Sequence, residues 1–226
     1  YSGFGLVTIA TLDVDSSAAP RGTTTVGSWG TTYASPTALY VATTNWSWSW
    51  WYDDAFDVQT RIHRFLLDGG AGTARYDASG VASGYTLNQF SMDEHDGHLR
   101  IATTDPADGW SWGADGSESH VTILEPSGGA LVPTGRVSGL GKDERIYSVR
   151  FVGDRGYVVT FRTTDPLYVL DLSDPTLPQV TGELKIPGFS TYIHPLGADH
   201  LLAIGRDATE EGWVQGLQMQ IFDVSD

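Results

Sequence analysis

The stretch Leu167-Tyr-Val-Leu-Asp171, followed by the turn formers Ser173-Asp174-Pro175, decides the fold. It is a short apolar run that closes on an acid and then breaks. The same phrase recurs along the chain. It reads Val7-Thr-Ile-Ala-Thr-Leu-Asp13, Arg61-Ile-His-Arg-Phe-Leu-Leu-Asp68, His120-Val-Thr-Ile-Leu-Glu125 and Leu217-Gln-Met-Gln-Ile-Phe-Asp223. The closing acids stand 55, 57, 46 and 52 residues apart. Repetition at 40 to 60 residues is the mark of a repeat architecture.

Working outward, a second strand follows each of the first four units, at 23–26, 73–76, 132–137 and 180–186. Each leads to a glycine: Gly27, Gly84, Gly139 and Gly188. A third strand comes next, at 31–34, 89–93, 146–151 and 191–194. A fourth follows a short turn, at 39–43, 99–103, 157–161 and 201–204. The runs are short and mostly alternate with period two, and no amphipathic helix is evident. Four short strands per unit predict an all-β chain, a β-propeller of four-stranded blades. One blade cannot bury both its faces, so neighbours must pack on it. Strands before the tight turn are innermost, and the strands leading to the glycines are outermost. The chain then holds three complete blades and two partial ones, in 17 strands. The expectation is a single propeller domain over residues 1–226, or a segment of a larger propeller completed by another chain or fragment. Tyr1 falls within a strand-like pattern, which reads as a mature chain or a fragment.

Composition narrows the function. The chain has 226 residues, of which 40% are hydrophobic, enough for a packed core. Its formal net charge of -15 repels nucleic-acid phosphates and anionic lipid. No apolar run is long enough for a membrane-spanning helix. The absence of Cys excludes a disulfide framework, a thiol nucleophile and a Cys-based zinc site. The six His show no ligand spacing. Phosphate-loop, dinucleotide and nucleophile-elbow motifs are missing too. That favours a non-enzyme, although propeller enzymes assemble their sites from separate blades.

Three long runs carry a resemblance: residues 88–104, residues 144–161, and residues 165–175 with their continuation through Glu183-Leu-Lys-Ile-Pro-Gly-Phe-Ser-Thr-Tyr-Ile-His-Pro195. Together they resemble the prokaryotic secreted β-propeller domain family, distantly related to WD-repeat propellers. The resemblance implies a secreted or cell-surface location and a longer parent protein. It implies no reaction, so no catalytic residue follows from it.

Candidate sites lie in the loops after the second strand of each blade. One loop carries Trp46, Trp48, Trp50 and Trp51, with Asp53, Asp54 and Asp57. Another carries Trp110 and Trp112, and a third holds Trp213. Indoles clustered on loops offer flat apolar area for a protein, a peptide or a glycan. They also suit a self-packed cap over the propeller, and both readings stand. Asp105, Asp108, Asp115 and Glu118 lie among glycines and could gather a calcium ion, which takes six to eight oxygens at ~2.4 Å. The loop lacks the ligand order of an EF-hand, and a solvated acidic loop accounts for them more simply. Aligning the blades on their second strands places Asp93, Arg150 and His194 near equivalent positions facing the central channel, with Tyr33 beside them. They suit an anion pocket on Arg150, an acid–base pair of Asp93 and His194, or an ionic brace between blades. Two functions follow: a binding module working through its Trp-rich acidic face, or a calcium-dependent hydrolase with its site over the channel.

Overall fold

A computed structural model describes residues 5–15, 17–48, 56–68, 73–106, 116–161, 165–186, 188–209 and 213–225. Among these residues there are 17 strands, one 3-10 turn at Gln89–Ser91 and no α-helix. Among the described residues no helix is long and apolar enough to cross a membrane.

The first sheet pairs β1 (Leu6–Thr11) with β2 (Arg21–Val26). Blade one is β3 (Thr31–Ala34), β4 (Ala38–Trp48), β5 (Phe56–Asp68) and β6 (Thr73–Ser83), antiparallel in chain order. Blade two is β7 (Met92–His95), β8 (His98–Asp105), β9 (Glu118–Ser127) and β10 (Ala130–Leu140). Blade three is β11 (Arg145–Val152), β12 (Arg155–Phe161), β13 (Asp165–Asp171) and β14 (Gln179–Ile186). A last sheet holds β15 (Phe189–Leu196), β16 (His200–Ala208) and β17 (Val214–Asp223). The predicted order of two strands, three sets of four and a final three is therefore the order observed.

One link was not anticipated. The outer strands β6 and β10 meet through a single parallel pair, Ser79 with Ala130, so blades one and two share an eight-stranded sheet. The Ser79 amide donates to the Gly129 carbonyl at 3.2 Å. Gly80 permits this approach, because a Cβ there would stand 2.6 Å from the Leu131 carbonyl oxygen. Gly139, expected beyond the outer strand, lies inside β10 at a positive φ of 81°, where the β9–β10 register shifts.

Alternation along each strand sends side chains toward the sheets on either side. Val41, Phe65 and Ala74 meet Val7 and Ile9 of the first sheet. Tyr40, Ile62, Met92, Leu99, Ile101 and Leu124 fill the space between blades one and two. Val121, Ile123, Val149, Phe151, Val158 and Leu170 do so between blades two and three. Tyr157, Val159, Leu167, Ile193, Leu201 and Phe222 join blade three to the last sheet. The core is thus a succession of slabs between sheets, and each fully buried large side chain contributes roughly 1.5–3 kcal/mol.

The recurring acid has a local cause. Asp171 Oδ1 accepts from the Ser173 amide at 3.0 Å and the Ser173 hydroxyl at 2.6 Å. Asp13 and Asp223 accept from Asp15 and Ser225 amides in the same way. At these three strand ends the acid closes the strand by fixing the turn after it. These hydrogen bonds to the ionised form hold the Asp171 and Asp223 carboxyls below their ordinary range.

Candidate functional site

A cleft of about 630 Å³ opens where three consecutive sheets converge. Its walls come from the end of β4 (Thr44, Trp46), the segment 85–88 leading to β7, the start of β11 (Arg145, Ile146, Tyr147) and Thr191 of β15. It lies on the face that also carries the loops after each second strand, the face favoured by the sequence.

Register explains how these side chains reach one place. In blade three Ile146 pairs with Thr160 and Ser148 with Val159, so Tyr147 is an extra residue in the ladder. In the last sheet Ser190 pairs with Gly205 and Tyr192 with Ile204, so Thr191 is extra. Blade two has a longer version. Tyr85 pairs with Thr104 and Met92 with Ile101, so residues 86–91 stand against 102–103. A residue squeezed out of a ladder is re-aimed by the local twist. Three sheets each carry such an insertion near the same rung. Thr86, Leu87, Asn88, Tyr147 and Thr191, all placed by those insertions, line the cleft.

The excursion in blade two is locked from within. Asn88 caps the 3-10 turn by accepting from the Phe90 amide at 2.9 Å, and Ser91 is fully buried. Trp46 stacks on Tyr85 with ring centroids 5.6 Å apart and planes 28° apart, yet stays 44% exposed. Arg145 lies over the Tyr147 ring, 5.0 Å from its centroid, and donates from Nη2 to the Tyr147 hydroxyl at 2.8 Å. Burial raises the Tyr85 phenol above its ordinary range, opposed by the nearby Arg145 charge, so the hydroxyl is neutral at neutral pH. The site offers flat apolar faces, fixed hydroxyls and one guanidinium. Among the described residues its lining holds no nucleophile paired with a base.

Of the six Trp proposed from sequence, Trp46 is in the cleft wall. Trp48 ends β4, but its side chain lies outside the described residues, as do Trp50, Trp51, Trp110 and Trp112. Trp213, in the loop before β17, is exposed. So is Trp29, on the segment before β3. Asp105 and Glu118 face each other across the end of β8 and β9. Asp108 and Asp115 lie outside the described residues. Among the described residues no three His, Asp or Glu gather as a cation site.

The channel constellation separates into two parts. Arg100, directly across the ladder, donates from Nε to Asp93 Oδ2 at 3.0 Å and also pairs with it through Nη2. Tyr33 donates to Asp93 Oδ1 at 3.3 Å. Asp93 is therefore a braced structural acid. His194 is exposed and meets the Tyr192 hydroxyl through Nδ1 at 3.4 Å. Arg150 donates from Nε to the Ile193 carbonyl at 3.0 Å and lies 4.2 Å from the Phe90 centroid and 5.4 Å from that of Tyr192. On the ladders Asp93, Arg150 and His194 stand opposite Arg100, Tyr157 and Leu202, each two residues before the last pair of its innermost hairpin. The three therefore occupy equivalent positions in their sheets, as aligning the blades placed them.

The cleft residues missed by sequence reasoning are Tyr85, Leu87, Asn88, Arg145 and Tyr147. The signal for them was faint: aromatic and polar residues at the start of innermost strands, where alternation breaks.

The family model described as Beta propeller domain matches residues 1–226. An uncharacterized protein of Methanocaldococcus jannaschii is 46% identical over 148 residues, which cover 66% of this chain and 22% of that protein. An uncharacterized protein of Archaeoglobus fulgidus is 45% identical over 170 residues, covering 74% of this chain and 23% of the relative. The chain thus spans less than a quarter of the length of these relatives.

Proposed function

The chain belongs to the β-propeller domain family, and from that premise we propose that it is a binding module whose ligand sits in the aromatic cleft. One observation carries this reading: three sheets insert residues near the same rung, and those residues form one concave, partly aromatic wall. Its volume falls within the roughly 300–1,000 Å³ of small-ligand sites. The ligand is a glycan, a peptide or a protein segment, met outside the cytoplasm at the cell surface or beyond it. The resemblance to secreted propellers supports that location.

The same proposal includes a completing partner. Leu217, Met219 and Ile221 alternate along β17 and are each more than 60% exposed. Leu202 and Ile204 stand opposite Ile221 and Met219 on β16 and extend that stripe. A further blade, from the same protein or another chain, is the occupant that buries such a face in a propeller.

The test is a titration of the chain with a panel of neutral oligosaccharides, acidic oligosaccharides and short peptides, followed by amide NMR. The expected result is shifts clustered at 85–88 and 145–147 for one class. Trp46→Ala should weaken that ligand about tenfold or more, with an unchanged melting temperature. Shifts confined to other surfaces, or a silent cleft with every panel member, would overturn the reading.

A further inference from the structure

Arg145 lines the cleft, and no ion pair joins it to a carboxylate among the described residues. The chain has 28 acidic and 13 basic side chains, so carboxylates are plentiful. Arg64 holds two, Asp77 and Glu94, and Arg100 holds Asp93. The Arg145 guanidinium is instead held by an aromatic neighbour, over the Tyr147 ring at 5.0 Å from its centroid and hydrogen-bonded to its hydroxyl through Nη2. Its other N–H groups have no acceptor among the described residues. A guanidinium fixed in this way keeps a planar set of donors matched to a carboxylate.

A second cation stands beside the cleft. Arg150 is layered against Phe90 and Tyr192, and it too has no carboxylate partner among the described residues. Asn88 and Thr191, which line the cleft, belong to the same short segments as Phe90 and Tyr192. Two arginines near one cleft, both held by aromatic rings, make a local positive site on an acidic protein.

The rest of the wall says what the anion is attached to. Trp46 stacked on Tyr85 offers a flat, partly exposed apolar face. Such a face suits the C–H side of a sugar ring. A peptide of acidic residues alone would answer the arginine but brings no ring to the stacked pair. We infer that the cleft takes an acidic glycan, with a uronate ring on the Trp46–Tyr85 face and its carboxylate on Arg145. This rests on the binding-module reading given above and names its ligand class.

The experiment compares trimers of galacturonate, glucuronate and mannuronate with their methyl esters, in which the ring is kept and the charge removed. A triglutamate peptide is the third arm. Calorimetry and Trp fluorescence are run on the unmodified chain, on Arg145→Gln and on Trp46→Ala. The expected result is that one uronate trimer binds at least tenfold tighter than its ester. Arg145→Gln should erase that preference while leaving the ester's affinity in place, and Trp46→Ala should weaken both. Added salt should weaken the acid form alone. Equal binding of acid and ester, an unchanged preference in Arg145→Gln, or engagement of triglutamate alone would overturn the inference. If the trimers leave the cleft silent while a neutral oligosaccharide or a peptide engages it, this inference falls and the binding-module reading stands. If no ligand of either panel reaches the cleft, both fall.

Discussion

His120 should couple the stability of the chain to pH. It lies on β9 opposite Thr103 of β8, 4% exposed, and its Nδ1 makes no hydrogen bond. The Thr103 hydroxyl across from it is likewise buried without a partner. Burial, reinforced by the Arg136 charge, lowers the His120 pKa from 6.5 to about 4, with Glu118 opposing. Folding therefore favours the neutral imidazole, while the unfolded chain takes up a proton below about 6.5. Stability should fall as the pH drops from about 6.5 toward 4, and this contribution should level off below that. Each tenfold difference in proton affinity is worth about 1.4 kcal/mol, so the full loss is about 3 kcal/mol. Urea unfolding from pH 7.5 to 4, run on the unmodified chain and on His120→Gln, isolates this group from the carboxylates. The unmodified chain should lose about 3 kcal/mol more than the variant over that range. NMR of the ring should give a midpoint near 4. Parallel stability profiles, or a ring that titrates above 6, would refute the reasoning.

Two further outcomes test the frame. Arg64 donates to the Tyr40 hydroxyl at 3.0 Å and to Asp77 at 2.6 Å, and lies 3.5 Å from the buried Glu94 carboxylate, which Ser35 and Thr37 also hold. Arg64→Leu strands two carboxylates between blades and should cost about 3–5 kcal/mol in chemical denaturation, whereas a loss under 1 kcal/mol would show that the brace contributes little. Gly80→Ala should cost about 1–3 kcal/mol through overpacking against Leu131 and speed hydrogen exchange at the Ser79 amide. Unchanged Ser79 exchange would show that the link between β6 and β10 does not depend on that glycine.

The fold was legible because its repeat is enforced locally. Asp13, Asp171 and Asp223 each end a strand for the same hydrogen-bonding reason, so the phrase recurs visibly in the chain. The cleft was much less legible. Tyr147 and Thr191 look like ordinary members of an alternating strand, and only pairing with the neighbour reveals the extra residue. Asp93, Arg150 and His194 were easier to place: each stands two residues before the last pair of an innermost hairpin, so alignment of the repeats finds them. Trp composition drew notice to this face, and among the described side chains Trp46 falls in the cleft wall. Its neighbours there, Tyr85, Arg145 and Tyr147, come from sequence with no distinctive spacing.

The insertions near a shared rung also bear on how such a module can diversify. The ladder resumes its pairing on both sides of Tyr147, of Thr191 and of the longer excursion at 86–91. Length and composition at those points can therefore vary while the slabs between sheets keep their shape. Strand pairing behaves as a fixed chassis, and each sheet adds an insertion of one or several residues to the rim. Selectivity for a new ligand could arise from single-residue insertions there, with the load falling on the rim and not on the core.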